Sequence, residues 1–145
     1  MVVIAAVDRT DRAKNAVTEA VKLAEAFDEP VHVVHVLSQS DFVELERTEV
    51  KKSGRAVEMD RIREYGATVA EEAAEDVDQD VAIEYVGLVG DAADQILEYA
   101  DNENARYVVV GPRKKTPAGK VLFGSVSQEV LLNADCPVLV SMSRT

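Results

Sequence analysis

The chain has 145 residues, with 27 acidic and 16 basic side chains and a formal net charge of −11. This length fits one compact domain, which at this size buries roughly 68–70% of the surface of the unfolded chain. Hydrophobic residues make up 47% of the sequence, so the charge covers a folded body and does not indicate disorder. A negative surface disfavours nucleic acid and membrane surfaces as partners, because both bind through Lys and Arg.

The cysteine content points to a reduced, cytoplasmic protein. Cys136 is the single cysteine, which excludes an intramolecular disulfide and a paired-cysteine metal site. Residues 1–7 are apolar, but Asp8 ends this run long before the roughly 20 residues that a membrane span requires. We therefore interpret the run as a first strand.

Apolar runs and helical periodicities alternate along the chain. The runs predict strands at residues 2–7, 31–36, 81–86, 107–111 and 137–142. Apolar residues at steps of three and four predict helices at residues 13–27, 57–76, 93–100 and 125–133. We expect Thr10 or Asp11 to cap the first helix, and Gly90-Asp91 and Gly124-Ser125 to open the last two.

The segment 38–52 is polar and acidic, and it predicts a long loop or an irregular start of a helix. The repeated strand and helix order indicates an α/β fold. We expect a single domain over residues 1–145, a Rossmann-like three-layer sandwich with a five-stranded parallel sheet and about four helices.

The most informative segment for function follows the fourth predicted strand. In open parallel sheets, ligands bind beyond the carboxyl ends of the strands. Here Gly111 ends the strand and Gly124-Ser125 begins a helix, whose free N–H groups favour an anion. Between them lie four basic residues, Arg113, Lys114, Lys115 and Lys120. The segment indicates a phosphate site, or else the glycines serve turn and cap geometry and the cations are solvated.

Asp8 is the second candidate binding residue. A carboxylate at the end of the first strand can accept hydrogen bonds from two ribose hydroxyls. Its position also fits a helix N-cap or a salt bridge with Arg9 or Arg12.

Other reactive side chains have structural interpretations. His32 and His35 lie three residues apart in a strand, so they face opposite sides of the sheet and do not chelate one metal. Cys136 has no cationic neighbour in sequence, and we do not expect it to act as a nucleophile. No catalytic residue and no metal ligand is predicted.

The whole chain resembles a universal stress protein domain. The resemblance is carried by the opening VVIAAVD with Thr10, His35-Val36, VGDAADQI around Gly90, VVVG followed by GSVS, and CPVLV near the end. It implies a fold like that of the adenine-nucleotide alpha hydrolases and homodimers formed through the last strand, which starts at Pro137 and ends at Met142. It also implies a site for ATP or AMP, with Mg²⁺ accompanying the nucleotide.

The resemblance also assigns site residues. The family's phosphate signature of Gly, two residues, Gly, nine residues, Gly and Ser falls on Gly111, Lys114, Gly124 and Ser125. Lys114 replaces the second glycine, and its ammonium group is then the phosphate contact. Asp8 matches the ribose contact, Val36 the adenine contact and Val126 a neighbour of the phosphates. The predicted nucleotide-binding set is completed by Ala6, Val7, Val110 and Arg113.

Two functions remain open at this point. The first is a nucleotide-binding stress-response protein with at most slow ATP hydrolysis, because no general base is evident. The second is a homodimeric stress regulator that binds no nucleotide and acts through protein contacts. The charge of −11 further predicts adaptation to high intracellular salt, where the Debye length is about 3 Å at 1 M, or simply an ordinary acidic cytoplasmic protein.

Overall fold

The computed structural model describes residues 1–53, 59–77, 80–111, 114–115 and 121–142. One parallel sheet contains the strands β1 (Val2–Ala6), β2 (Val31–Leu37), β3 (Ile83–Val89), β4 (Ala105–Val110) and β7 (Val138–Val140). Their order is β3-β2-β1-β4-β7, so β1 is central. The short strands β5 (Lys114–Lys115) and β6 (Val121–Leu122) form a separate antiparallel ribbon.

Five described helices connect the strands. They are α1 (Ala13–Phe27), α2 (Gln39–Ser53), α3 (Met59–Ala73), α4 (Ala92–Asn102) and α5 (Ser125–Asn133). Helices α1 and α3 cover one face of the sheet, and α4 and α5 cover the other. The predicted three-layer α/β architecture with a five-stranded parallel sheet is confirmed.

The core has two halves because successive strand residues face opposite sides of the sheet. In β1, Val3 and Ala5 pack toward α1, whereas Ile4 packs toward α4 and α5. In β2, Val33 and Val34 divide in the same way. Such strands are buried on both faces, which explains their continuous apolar runs.

Several sequence predictions require correction. The segment 38–52 is helical as α2, so the chain has five described helices instead of about four. The third strand lies at Ile83–Val89, later than the predicted residues 81–86. The basic loop after β4 contains the β5–β6 ribbon. Helix α1 has Arg12 at its N-cap, with no side-chain cap bond, so the predicted cap by Thr10 or Asp11 is wrong.

Close packing of two glycines fixes the position of α3 against the sheet. A Cβ atom on Gly87 of β3 would lie 2.1 Å from the carbonyl oxygen of Arg63 and 2.7 Å from the amide nitrogen of Ala67. A Cβ atom on Gly66 of α3 would lie 2.8 Å from the Cα atom of Gly87. The helix and strand backbones therefore touch directly.

No described helix is long and apolar enough to cross a membrane.

We predict that Gly87→Ala destabilises the protein by at least about 3 kcal/mol, because the new methyl group collides with backbone that cannot rotate away. Urea denaturation measures the free energy of unfolding. Gly111→Ala is the matched control, because a Cβ atom there meets nothing within 4 Å, and its change should stay within about 0.5 kcal/mol. Equal stability of the two variants would contradict the proposed contact.

Candidate functional site

A pocket opens at the carboxyl ends of β1 and β4, where the strand order reverses. From β1 the chain crosses through α1 to β2 on one side, and from β4 it crosses through α5 to β7 on the other. Ala6 and Val7 at the end of β1, and Val110 and Gly111 at the end of β4, line the pocket. This is the position at which open parallel sheets bind ligands.

The two sides of the pocket differ in chemistry. Val36 of β2 lines it together with Ala92 and Ile96 of α4, which makes this side apolar. The opposite side contains Asp8, Thr10 and Arg12 from the segment between β1 and α1. The pocket thus offers an apolar slot beside charged and hydroxyl groups.

A local turn holds the Asp8 carboxylate in place. Its Oδ1 atom accepts hydrogen bonds from the Thr10 backbone N–H at 2.9 Å and from the Thr10 hydroxyl at 2.6 Å. Asp8 does not cap α1, and no ion pair with Arg9 or Arg12 is found among the described residues, so both structural alternatives for Asp8 are wrong. The oxygen Oδ2 remains available to a ligand.

His35 joins the end of β1 to β2. Its Nδ1 atom lies 2.9 Å from the carbonyl oxygen of Val7, so Nδ1 carries the proton and donates it to that oxygen. The side chain is buried, and His35 lines the pocket. Its Nε2 atom is buried and has no hydrogen-bond partner. The hydrogen bond to Val7 agrees with the structural role predicted for His35. The Nε2 atom is in addition an acceptor without a partner.

The segment after β4 contributes the remaining wall. Gly111 is open toward the pocket, and its carbonyl oxygen accepts a hydrogen bond of 2.9 Å from the Ser127 hydroxyl. Val126 and Ser127, in the first turn of α5, also line the pocket. The first N–H groups of a helix lack intrahelical partners, so this turn offers donors and the positive end of a dipole.

Other predicted site residues are not among the described residues that line the pocket. Gly124 is the N-cap of α5 and Ser125 its first residue, but neither lines the pocket. Lys114 pairs with Leu122 in the β5–β6 ribbon. Arg113 lies outside the described residues. The loop after β3 contributes no lining residue before Ala92.

The sequence prediction missed several residues of the pocket. Arg12, Ala13 and Ala16 lie on the first turns of α1, and His35 precedes the predicted Val36. A usable signal existed for the helix residues, because positions 12 and 16 are four apart and share one helix face. No sequence signal distinguishes His35, since the same residue also fits a buried strand.

The family assignment follows from comparison with known proteins. The model of the universal stress protein family matches residues 1–141. The chain belongs to this family. It is 30% identical over 134 residues to a universal stress protein of Methanocaldococcus jannaschii, a match that covers 92% of this chain and 76% of the relative.

Solved structures of universal stress proteins share the fold. One from Archaeoglobus fulgidus has a TM-score of 0.63 and 28% identity, with 96% of each chain covered. The structure of a universal stress protein from the same organism in complex with dAMP has a TM-score of 0.59 and 26% identity, with 96% of this chain and 94% of that chain covered.

One acidic cluster in this universal stress protein has metal-like spacing. Carboxylate oxygens of Asp91, Asp94 and Glu129 lie within 4.8 Å of one another, and all three residues are exposed. Asp91 already accepts the N–H of Asp94 as the N-cap of α4, which accounts for its position without a metal. None of the three lines the pocket.

The second histidine, His32, is buried and joins a partly exposed network on the face of the sheet covered by α4. His32 Nδ1 lies 2.7 Å from the Tyr99 hydroxyl, and His32 Nε2 lies 3.1 Å from a Glu84 carboxylate oxygen. Burial raises the pKa of Tyr99 to about 12. His32 and His35 therefore face opposite sides of the sheet, as predicted.

We predict that Cys136 reacts slowly with a disulfide reagent such as DTNB at pH 8. Burial raises the pKa of its thiol above the ordinary value, so less of the reactive thiolate is present. The rate should rise several-fold when the protein is unfolded in urea. Because the chain has one cysteine, the assay reports Cys136 directly. A folded protein that reacts as fast as the unfolded chain would contradict a passive thiol.

Proposed function

We propose that this protein binds an adenine nucleotide, ATP or AMP, and acts as a nucleotide-dependent stress-response protein. The observation that carries the proposal is the Asp8 carboxylate, which Thr10 fixes at the rim of the switch-point pocket. A fixed carboxylate with one free oxygen accepts hydrogen bonds from ribose hydroxyls without first losing side-chain freedom.

The other walls fit the rest of such a ligand. Val36, Ile96 and Val110 provide an apolar surface for a purine ring. The first turn of α5, with Val126 and Ser127, provides N–H donors for an anionic group. The order of apolar slot, carboxylate and helix N-terminus matches the order of base, ribose and phosphate in a nucleotide.

The pocket volume supports partial enclosure of the ligand. It is about 180 Å³, below the roughly 300–1,000 Å³ of typical small-molecule sites. We infer that the base and ribose are enclosed, while additional phosphates extend over the rim with Mg²⁺ bound to them. The dAMP complex of the Archaeoglobus fulgidus protein supports the same class of ligand. We expect any hydrolysis of ATP to be slow, because Asp8 is the one carboxylate among the described residues that line the pocket and it is assigned to the ribose.

We predict that AMP or ATP with Mg²⁺ binds to the purified protein and that Asp8→Ala weakens binding by roughly tenfold to a hundredfold. Loss of hydrogen bonds to a charged group costs about 1.5–3 kcal/mol. Calorimetry in concentrated KCl measures the nucleotide affinity of the wild-type protein and of Asp8→Ala. Asp11→Ala is the matched control, because it removes the same charge from an exposed position that does not line this pocket.

Two results would contradict the nucleotide proposal. One is the absence of binding heat with AMP and with ATP. The other is an unchanged affinity in Asp8→Ala. Mass spectrometry of the denatured protein provides a second measurement, because a co-purified nucleotide would appear as a released small molecule.

We also infer that the protein forms a homodimer through its last strand. β7 lies at one edge of the sheet and pairs only with β4 among the described strands. Leu132 of α5, the helix that precedes β7 in the chain, is 82% exposed, and Met142 after β7 is exposed as well. An unprotected strand edge beside exposed apolar side chains favours association with a second copy.

We predict a particle of twice the 15.8 kDa chain mass in light scattering at micromolar concentration. Leu132→Lys should shift it toward the monomer, because it places a charge beside the proposed contact. Val43→Lys is the control, since Val43 is an exposed apolar residue on α2, far from β7 in the chain. A monomeric wild-type protein would contradict the dimer.

The cytoplasmic location and the adaptation to high salt remain expectations from the net charge of −11 and the single cysteine. Concentrated salt screens the repulsion between the surface carboxylates, which supports a compact acidic fold under those conditions.

A further inference from the structure

The pocket contains one cation that the nucleotide assignment above does not use. Among the described residues that line it, Asp8 and Arg12 carry formal charges. Asp8 is matched to ribose hydroxyls in the proposed function. Arg12 is the residue with the opposite charge, and it follows Asp8 by four positions at the start of α1.

Arg12 lacks the carboxylate partner that Arg106 has. Its Nε atom is buried and has no hydrogen-bond partner, and no described carboxylate forms an ion pair with it. By contrast, Arg106 donates hydrogen bonds to both carboxylate oxygens of Glu29 at 2.7–2.9 Å and lies over the Phe27 ring. The Nε–H group of Arg12 is thus a buried donor without an acceptor.

The position of Arg12 is also electrostatically unfavourable in the free protein. It is the N-cap residue of α1, where Ser, Thr, Asp and Asn are preferred and where the positive end of the helix dipole repels a cation. A guanidinium stays protonated, and its Nε–H group is always a donor that requires an acceptor when buried. One bound anion would satisfy the donor and remove the repulsion.

A second polar atom at this pocket is also without a partner. Three buried side-chain polar atoms of the described residues lack one, and they belong to Arg12, His35 and Ser141. Arg12 and His35 both line the pocket, and His35 is only 7% exposed. Buried polar groups in folded proteins are nearly always hydrogen-bonded, so unbonded atoms concentrated at one pocket indicate a polar ligand.

We propose that Arg12 binds the phosphate group of the ligand and makes the site selective for a phosphorylated nucleoside over the free nucleoside. This inference rests on the proposed function and adds to it the residue that recognises charge. A guanidinium suits this role because its N–H donors match phosphate oxygens in a paired geometry.

The experiment compares the affinities of AMP and adenosine for the wild-type protein and for Arg12→Gln, by calorimetry at constant salt. The wild-type protein should prefer AMP, and Arg12→Gln should reduce that preference by about tenfold while adenosine affinity changes little. Arg12→Lys keeps the charge but not the paired donors, so it should recover part of the preference. Lys14→Gln is the matched control, because it removes a cation from the same end of α1 but outside the pocket.

A measurement without nucleotide supports the same inference. Inorganic phosphate should raise the unfolding midpoint of the wild-type protein more than that of Arg12→Gln. In the absence of any anion, Arg12→Gln should be at least as stable as the wild type, because it removes a positive charge from a helix N-terminus together with a buried Nε–H group that has no acceptor. This midpoint also verifies that the variant is folded.

The outcomes separate the two proposals. If the wild-type protein prefers AMP and Arg12→Gln retains that preference, the role of Arg12 is overturned and the nucleotide proposal stands. Equal losses of AMP and adenosine affinity, or an equal effect of Lys14→Gln, also overturn it, since they indicate a structural or general charge effect. If the wild-type protein binds AMP and adenosine with equal affinity, the site does not select for a phosphate group, and the proposed role of Arg12 is overturned. If the wild-type protein binds neither ligand, both proposals fail.

Discussion

The direction in which the chain leaves β1 and β4 determines the position of the site. β1 pairs in parallel with β2, and β4 pairs in parallel with β7, so each connection must cross over the sheet, usually through a helix. After β1 the crossover leads to β2, and after β4 it leads to β7 on the opposite side. The two connections diverge, and the space between them cannot be filled by either. The pocket is this space, and Val7 and Gly111 are among its lining residues.

Small residues keep this gap narrow and rigid. Ala13 and Ala16 of α1 are buried at the pocket, which lets the start of the helix approach the sheet closely. Gly66 and Gly87 bring α3 into backbone contact with β3 beside β2. His35 then ties β2 to the carbonyl oxygen of Val7, the residue before Asp8. The turn that orients the Asp8 carboxylate is therefore supported by packing on one side and by a buried hydrogen bond on the other.

The sequence predicts the sheet and the edge at which the pocket lies, because continuous apolar runs have few structural alternatives. It does not predict α2, because the polar composition of that segment hides the helical period. A start signal was nevertheless present, since Ser38 and Asp41 form a capping box in which each side chain accepts the backbone N–H of the other. The sequence predicts the third strand too early, because Val81 and Ala82 are apolar, and the predicted strand ends before Gly87, which tightens the contact with α3.

Within the site, the residue type predicts the chemistry only where the position favours one binding role. Asp8 is such a case, because a carboxylate at the carboxyl end of a strand is suited to accept hydrogen bonds from ribose hydroxyls. Arg12 does not, because a charged residue in the first turn of a helix is usually solvated, and its significance depends on a buried Nε atom without an acceptor. Local rules are expected to fail at functional positions, and an arginine at an N-cap breaks two of them, the cap preference and the dipole.

The net charge makes this exception more informative. A chain with 11 excess negative charges repels a phosphorylated ligand at long range, so recognition has to come from contacts inside the pocket, where screening by salt is weakest. In concentrated salt the long-range repulsion is largely removed, but a partly buried guanidinium still binds at contact distance. The acidic surface and the single pocket cation among the described residues are therefore compatible. A net negative surface disfavours polyanions that bind by patches of charge, whereas the proposed role of Arg12 is to bind one anionic group inside the pocket.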